Sequence, residues 1–480
     1  MRVNKVRGPV CRAKHFESYL MEMGSREMSI RKIICLLLCL VLLVGATACS
    51  PGGSTDGDST GEPGSASTSK PAKGTKKETI VFWNMYWGND KFADLCQELV
   101  DEYNDTHDGP AVELQMRPWA TYFQDYLTAV TTGNAPDVAC GSGDNSLLYG
   151  RMDELVDLTD IADAWKEDGF YDTFPAGSFE LHNIDGCQYG IPWIIDARCM
   201  FVNLEMFEQA GVTIPDRGYF TFDELYQACK KLKAAGIEPM VLVGTDFMND
   251  QCINYLTVAA GGSHGVDANI QADVNSPRNM EVYNWIHKMV EEGLIAEESL
   301  GFTADQQIGV FAADSCAIII SNLERITSPS KYGKKYDVLP APVWNEGDPV
   351  RNIAYINPMV VFSQTSYPEE CKEFVKWWVE NNGILFEEGA ANFSASSQIN
   401  SSDAMMKNPR NRAIIEKILP HTTYYTYPCE HLFNAVVPLG GEAHLGHMFA
   451  ELLENKSSVQ AIADKYQAIV EQLIEENPEP

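Results

Sequence analysis

Residues 79–140 read TIVFWNMYWGNDKFADLCQELVDEYNDTHDGPAVELQMRPWATYFQDYLTAVTTGNAPDVAC, and the order of patterns in that stretch decides the fold class. Thr79–Asn84 (TIVFWN) is a short apolar run, as expected of a strand covered on both faces. Phe92, Leu95, Cys96, Leu99 and Tyr103 recur at helical spacing and predict an amphipathic helix over roughly Lys91–Asn104. Ala111–Met116 reads as a second strand, Tyr122–Thr131 as a second helix, and Pro136-Asp137-Val138-Ala139 opens a third strand. The order β-α-β-α-β implies an α/β fold with a parallel sheet and helices on its faces.

Farther along, Gly190–Trp193 and Cys199–Asn203 look extended. Thr221-Phe222-Asp223-Glu224 is a capping box with Thr221 at the N-cap; Leu225, Ala228, Cys229 and Leu232 form the buried stripe, and Gly236 stops the helix. Met240–Val243 and Ala317–Ile320 read as buried strands of a second α/β layer. A last helix carries Val459, Ile462, Tyr466, Ile469 and Leu473. From Thr79 about 400 residues remain, which fits two α/β lobes better than one.

Upstream the character changes. The chain has 480 residues with 36 Lys+Arg and 67 Asp+Glu, a net charge of −31. Residues 1–48 hold eight Lys/Arg and three acids, so they carry +5 and the rest −36. That acidity excludes a nucleic-acid partner, whose backbone is bound by neutralising Lys and Arg. From Met28 the chain reads MSIRKIICLLLCLVLLVGATACSPGG: basic Arg31 and Lys32, an apolar run Ile33–Val44 too short to span a bilayer, then small residues before Cys49. Residues 28–48 read as a secretory signal, with Met28 as an alternative start to Met1. Ser50–Glu78 has no aliphatic side chain larger than Ala and reads as a flexible tether spanning roughly 30 Å.

Nine cysteines follow Cys49, an odd number with no C-x-x-C, several of them in apolar runs. They read as small buried hydrophobes, with a Cys187–Cys199 bridge across a hairpin as the one pairing to test. The common catalytic and nucleotide-binding motifs (G-x-S-x-G, H-E-x-x-H, Walker A, G-x-G-x-x-G) do not occur, and no cofactor is implied. His444 and His447 could share a helix face, but no Cys or carboxylate stands at ligand spacing, so they read as ordinary packed or exposed histidines and no metal site is assigned.

The chemistry that stands out is aromatic and polar. Trp83, Tyr86 and Trp87 lie at the carboxyl end of the first strand, Asp144 and Asn145 follow the third, and Trp193 and Asp196 come after Gly190-Ile191-Pro192. In open α/β sheets ligands sit outside the carboxyl ends of strands. A flat apolar ring beside carboxylates and amides suits a sugar, whose C–H face and vicinal hydroxyls need both.

Several segments in order resemble the carbohydrate-type extracellular solute-binding proteins of bacterial ABC transporters, the group that includes maltose-binding protein: IVFWN (Ile80–Asn84), TTGNAPDV (Thr131–Val138), DGCQYGIPW (Asp185–Trp193), the long Phe201–Gly236, VFAADSCAIIIS (Val310–Ser321) and YDVLPAP (Tyr336–Pro342). The leader likewise resembles a bacterial lipoprotein signal, with Cys49 as the lipidated residue, although Ala46 stands where Leu is usual. The resemblance implies a two-lobed periplasmic-binding-protein-like fold with a central ligand cleft and several hinge crossings, near Trp193–Met200 and Tyr336–Pro342. By position it implies lobe 1 over 79–195, lobe 2 over 196–338, a return to lobe 1 over 339–390, and 391–480 mainly in lobe 2. It assigns ligand roles to Trp83, Tyr86, Asp144, Trp193 and Asp196, and a structural one to Gly133, Pro136 and Asp137. Asn322 and Glu324 stand where the family usually has a Gly and a cleft Trp, which points to a ligand richer in hydroxyls or amines. The implied protein is a monomeric, lipid-anchored binder on the outer face of the membrane that hands a carbohydrate to an ABC permease and catalyses nothing. The alternatives are a surface-anchored glycan hydrolase and a ligand-presenting sensor or adhesin of the same fold.

Overall fold

The computed structural model describes residues 79–480 apart from 90, 247, 324–334, 390 and 391; Cys49, the segments on either side of it and Glu324 lie outside the described residues. Its strands are β1 (Thr79–Met85), β2 (Ala111–Arg117), β3 (Val138–Cys140), β4 (Asn183–Ile184), β5 (Cys187–Gln188), β6 (Ile191–Asn203), β7 (Met240–Val241), β8 (Ile318–Asn322), β9 (Tyr336–Leu339), β10 (Asn352–Val361), β11 (Phe393–Ser394) and β12 (Thr422–Tyr424). Ten form one sheet with the path β2-β1-β3-β10-β6-β8-β7; β9 and β11 also pair with β6, and β12 with β10.

β1 pairs in parallel with β2 and β3, joined through the helices Phe92–Thr106 and Tyr122–Thr131. This is the βαβαβ unit expected from residues 79–140. Its core is aromatic: Phe82 meets the edges of Phe374 and Trp378 at 5.2 and 5.1 Å, from the helix Pro368–Asn381 laid across the sheet. The sheet as a whole is mixed rather than parallel, because β10 runs antiparallel to both β3 and β6.

β6 links the two halves of the molecule. Its first part, Ile191–Ala197, pairs with β10, and its second, Arg198–Val202, pairs with β8. All thirteen residues are buried. The two extended segments expected from sequence are therefore one strand. Asp196 and Arg198 look like a polar break in the apolar run, but they point to the same face at i, i+2 and pair with each other. The two-lobed α/β fold follows: β1–β3 and β10 on one side, β7–β9 on the other, with β6 passing between them.

The second half is built by the same local rules. The Thr221 hydroxyl accepts the Glu224 N–H at 3.2 Å and the Glu224 carboxylate accepts the Thr221 N–H at 2.8 Å, closing the expected capping box on the helix Phe222–Ala234. The C-terminal helix Val459–Glu476 buries Val459, Ile462, Tyr466 and Val470, with Ile469 and Leu473 half-buried. The helix His444–Glu454 packs on Met248–Ala259. Cys187 and Cys199, like the other seven described cysteines, are free buried thiols, so the bridge considered between them does not form.

Candidate ligand cleft

Strand register locates the cleft. Cys140, Met359 and Ile191 stand side by side across β3, β10 and β6. β3 ends there, while β6 runs on to Asn203. The loops after β1, β2 and β3 therefore open at the edge past which β6 carries the chain into the second lobe, the place where open α/β sheets hold ligands.

The loop after β3 is tightly held. Tyr122 accepts the Ser142 N–H on its hydroxyl at 2.9 Å and donates to the Asn145 side chain. A Cβ at Gly141 would come within 2.6 Å of Asn145 Nδ2 and of the Tyr122 ring, so only glycine fits. These contacts fix Asp144 and Asn145 at the edge. Desolvation holds the Asp144 carboxyl above the usual carboxylate value, against a lowering hydrogen bond from Ser142. Burial, and after it the charge of Asp144, push the Tyr425 phenol well above its ordinary value. Asp137 sits at the other end of β3 and ties that end to β1 by accepting the Val81 N–H at 2.7 Å.

At the junction of β6 lies a polar hub that sequence reasoning found only in part. Arg198 is 2% exposed and Asp196 8%; they form an ion pair at 2.8 Å. The Arg198 Nε donates to Gln251 Oε1 at 2.6 Å, and its guanidinium lies 4.9 Å over the Tyr355 ring. Tyr355 stacks on Tyr425 at 4.6 Å with the planes 18° apart. Asn254 Nδ2 donates to the Tyr425 carbonyl at 3.0 Å. Gln251 and Asn254 come from the helix Met248–Ala259, in which every residue except Gln251 is buried. Asn322 faces Arg198 directly across the β6–β8 pairing and is itself buried. Arg198 thus touches Tyr355 of β10 and Gln251 of the helix Met248–Ala259.

The aromatic residues divide by depth. Trp193 is fully buried, with ring edges toward Trp87 at 6.3 Å and Trp378 at 6.0 Å. Trp87 is 4% exposed and meets Trp119 at 4.7 Å. Trp83 is half-buried: its Nε1 donates to Gln115 at 2.9 Å and the Arg117 guanidinium covers its ring at 4.2 Å. Tyr86 is 50% exposed. Of the residues nominated from sequence, Asp144, Asn145, Asp196 and Asn322 border the β6 junction, while Trp83, Trp87 and Trp193 lie among core contacts. Sequence reasoning did not nominate Arg198, Gln251, Tyr355 or Tyr425. The Asp-x-Arg spacing inside an apolar strand is the signal that points to Arg198; the other three are brought in from 53 to 227 positions away.

Among the described residues no three His, Cys, Asp or Glu side chains converge as a metal site would require, and no helix is long and apolar enough to cross a membrane.

Comparison with known proteins places this geometry. The sequence model of the bacterial extracellular solute-binding protein family matches residues 89–383. An arabinooligosaccharide-binding protein of Halalkalibacterium halodurans is 26% identical over 310 residues, 62% of this chain and 66% of that protein. A Streptomyces antibioticus protein named as an uncharacterized lipoprotein is 28% identical over 210 residues, 44% of this chain. The chain spans 41% of that lipoprotein's length. Among solved structures, a sugar transporter of Arthrobacter chlorophenolicus with bound laminaribiose superposes with a TM-score of 0.72 at 19% identity, covering 82% of this chain and 99% of that one. A maltose-bound protein of T. maritima superposes at 0.67 with 16% identity, covering 82% and 99%.

Proposed function

Because the chain belongs to the bacterial extracellular solute-binding protein family, we propose that it captures a carbohydrate between its two lobes and delivers it to the permease of an ABC transporter. The observation that carries the reading is the hub at the β6 junction, where one buried arginine touches both β10 and the helix Met248–Ala259 beside a carboxylate and two stacked tyrosines. A neutral sugar suits it: Asp144, Asn145, Asp196 and Asn322 supply hydroxyl partners, Tyr355 and Tyr425 an aromatic wall, and Trp83, Trp87 and Trp193 the packing behind. The Asn145 Nδ2 is buried without a hydrogen-bond partner and is a donor for a sugar oxygen. The relatives that bind arabinooligosaccharide, laminaribiose and maltose support this class.

In this reading lobe 1 is 79–195 and 339–390, lobe 2 is 196–338 and most of 391–480, and β6 crosses at Asp196–Arg198. Closure of the lobes on the sugar shifts an open–closed equilibrium, and the permease reads the closed form. Cys49 carries the lipid that holds the monomer on the outer face of the membrane, a reading supported by the lipoprotein-like leader and by a relative named as a lipoprotein. Nothing is turned over; the relatives named for an activity are binding proteins.

The test is a thermal-shift screen of saccharides against amino acids and polyamines. A sugar at about a hundred times its Kd stabilises by about 2.7 kcal/mol. Shifts by amino acids or polyamines with none by any saccharide would refute the carbohydrate reading, and release of reducing ends from a glycan would favour the hydrolase instead.

A further inference from the structure

The helix Val459–Glu476 packs on His444–Glu454 and Pro277–Glu291, and the residues after it form a bridge. Glu479 divides its carboxylate between two elements: Oε1 accepts the Asn434 N–H at 2.6 Å, and Oε2 lies 3.7 Å from Arg151 Nη2. Asn434 in turn donates its Nδ2 to the Pro478 carbonyl at 2.7 Å. Arg151 also pairs with Asp185 in the turn between β4 and β5, so its guanidinium stands between two carboxylates.

Both bridged elements start at the cleft. Arg151 ends the helix Asn145–Arg151, which Asp144 opens as N-cap. Asn434 ends the segment that begins with Tyr425, the tyrosine stacked on Tyr355. That segment is braced: the Tyr425 N–H donates to the Ala354 carbonyl at 3.2 Å, the Cys429 N–H to the Thr426 carbonyl at 3.0 Å, and the Thr426 hydroxyl to the Cys429 carbonyl at 2.9 Å. The two elements also meet at the cleft, where a Cβ at Gly143 would stand 3.8 Å from the Tyr425 ring. They are therefore joined by packing at the cleft and by Glu479 at the far end. Helical rise from Asn145 to Arg151 sets that far joint about 9 Å behind Asp144, so Glu479 does not touch a sugar held there.

We infer that Glu479 is a positioning residue for ligand capture: with Arg151 and Asn434 it clips the helix behind Asp144 to the segment that carries Tyr425. The clip holds a hydroxyl partner and the aromatic wall at the spacing the sugar needs. The inference rests on the carbohydrate reading above and adds a control point outside the cleft. Such a clip acts by preorganisation, sparing the ligand the cost of ordering the two elements. The Arg151 and Glu479 side chains are 25% and 32% exposed, so the effect is modest and sensitive to salt.

The experiment is calorimetric titration of the purified protein with laminaribiose, maltose and arabino-oligosaccharides at about 0.05 and about 1 M sodium chloride. Glu479→Gln keeps an acceptor for Asn434 and removes the charge that faces Arg151. It weakens the sugar that binds about three- to fivefold at low salt and moves the thermal midpoint by under about 2 °C. A neutral ligand feels salt only through the protein's own pairs. Affinity in the unsubstituted protein therefore falls by a similar factor between the two salt concentrations, and in Glu479→Gln it does not. Arg151→Gln is the second variant; combined with Glu479→Gln it binds no more weakly than Arg151→Gln alone, because both changes remove the same pair. Unchanged affinity in Glu479→Gln, a loss of equal size at both salt concentrations, or full additivity in the double variant overturns the clip while leaving sugar capture intact. An affinity loss accompanied by a larger midpoint drop assigns Glu479 to stability and also overturns it. Failure of every saccharide to bind the unsubstituted protein refutes the carbohydrate reading itself.

Discussion

Replacing Arg198 by methionine tests whether one buried ion pair joins the lobes. The guanidinium is 2% exposed, pairs with Asp196 at 2.8 Å, donates to Gln251 at 2.6 Å and covers Tyr355 at 4.9 Å. Methionine keeps much of the side-chain volume but leaves the Asp196 carboxylate desolvated and unpaired, which costs about 3–5 kcal/mol in buried sites. Gln251 loses its partner for about 1 kcal/mol more. The expected destabilisation is therefore about 4–6 kcal/mol, read as a lowered midpoint of guanidinium unfolding at unchanged slope. The double variant Asp196→Asn with Arg198→Met removes both charges, so it is destabilised by clearly less than the sum of the single changes, with a coupling of about 1–3 kcal/mol. Sugar affinity falls more than tenfold in both Arg198 variants. A loss of stability under about 1 kcal/mol for Arg198→Met, or strict additivity in the double variant, would refute the account of the hub, because either result means that the pair is solvated or uncoupled.

Two further predictions concern buried titratable groups. Burial raises the folded-state pKa of Asp144, so the folded protein prefers it protonated and stability declines as pH rises from its ordinary value of 3.8 through the raised one. Asp144→Asn therefore stabilises the empty protein at pH 7 while weakening saccharide binding; destabilisation at pH 7 together with full binding contradicts the assignment. His182 has the opposite sign. It is fully buried against the Ser146 hydroxyl at 2.8 Å, and desolvation lowers its pKa from 6.5 to about 3. Its neutral form is favoured, so its contribution is complete above pH 6.5 and is lost as pH falls toward 3. By pH 5 the loss is about 2 kcal/mol. Unfolding midpoints at pH 7 and 5 show this slope in the native protein and a flatter one in His182→Gln; equal slopes contradict it.

Local signals were legible in the sequence and long-range ones were not. The β-α-β-α-β order of residues 79–140 and the Thr221–Glu224 capping box depend on neighbours within a few positions, and both appear where expected. β6 read as two segments because Asp196 and Arg198 interrupt its apolar run, and a charge in a strand looks like solvent exposure until its partner is seen. The hub itself is non-local. Gln251 and Tyr355 reach Arg198, and Tyr425 reaches Tyr355, only through the helix Met248–Ala259, the antiparallel return of β10 and the segment after β12. The depth of Trp193 has the same origin: strand alternation assigns it a face, and only the arrival of the helix Pro368–Asn381, which brings Trp378 to 6.0 Å, covers that face.

The central claim is that a carbohydrate binds at the β6 junction, and its most direct test is calorimetric titration of neutral oligosaccharides into the purified protein and into Asp144→Asn and Arg198→Met. The account predicts saturable one-site binding that falls at least tenfold in each variant, provided that each remains folded by circular dichroism at the titration temperature. Saccharide binding of unchanged affinity in both folded variants would place the site elsewhere and contradict it.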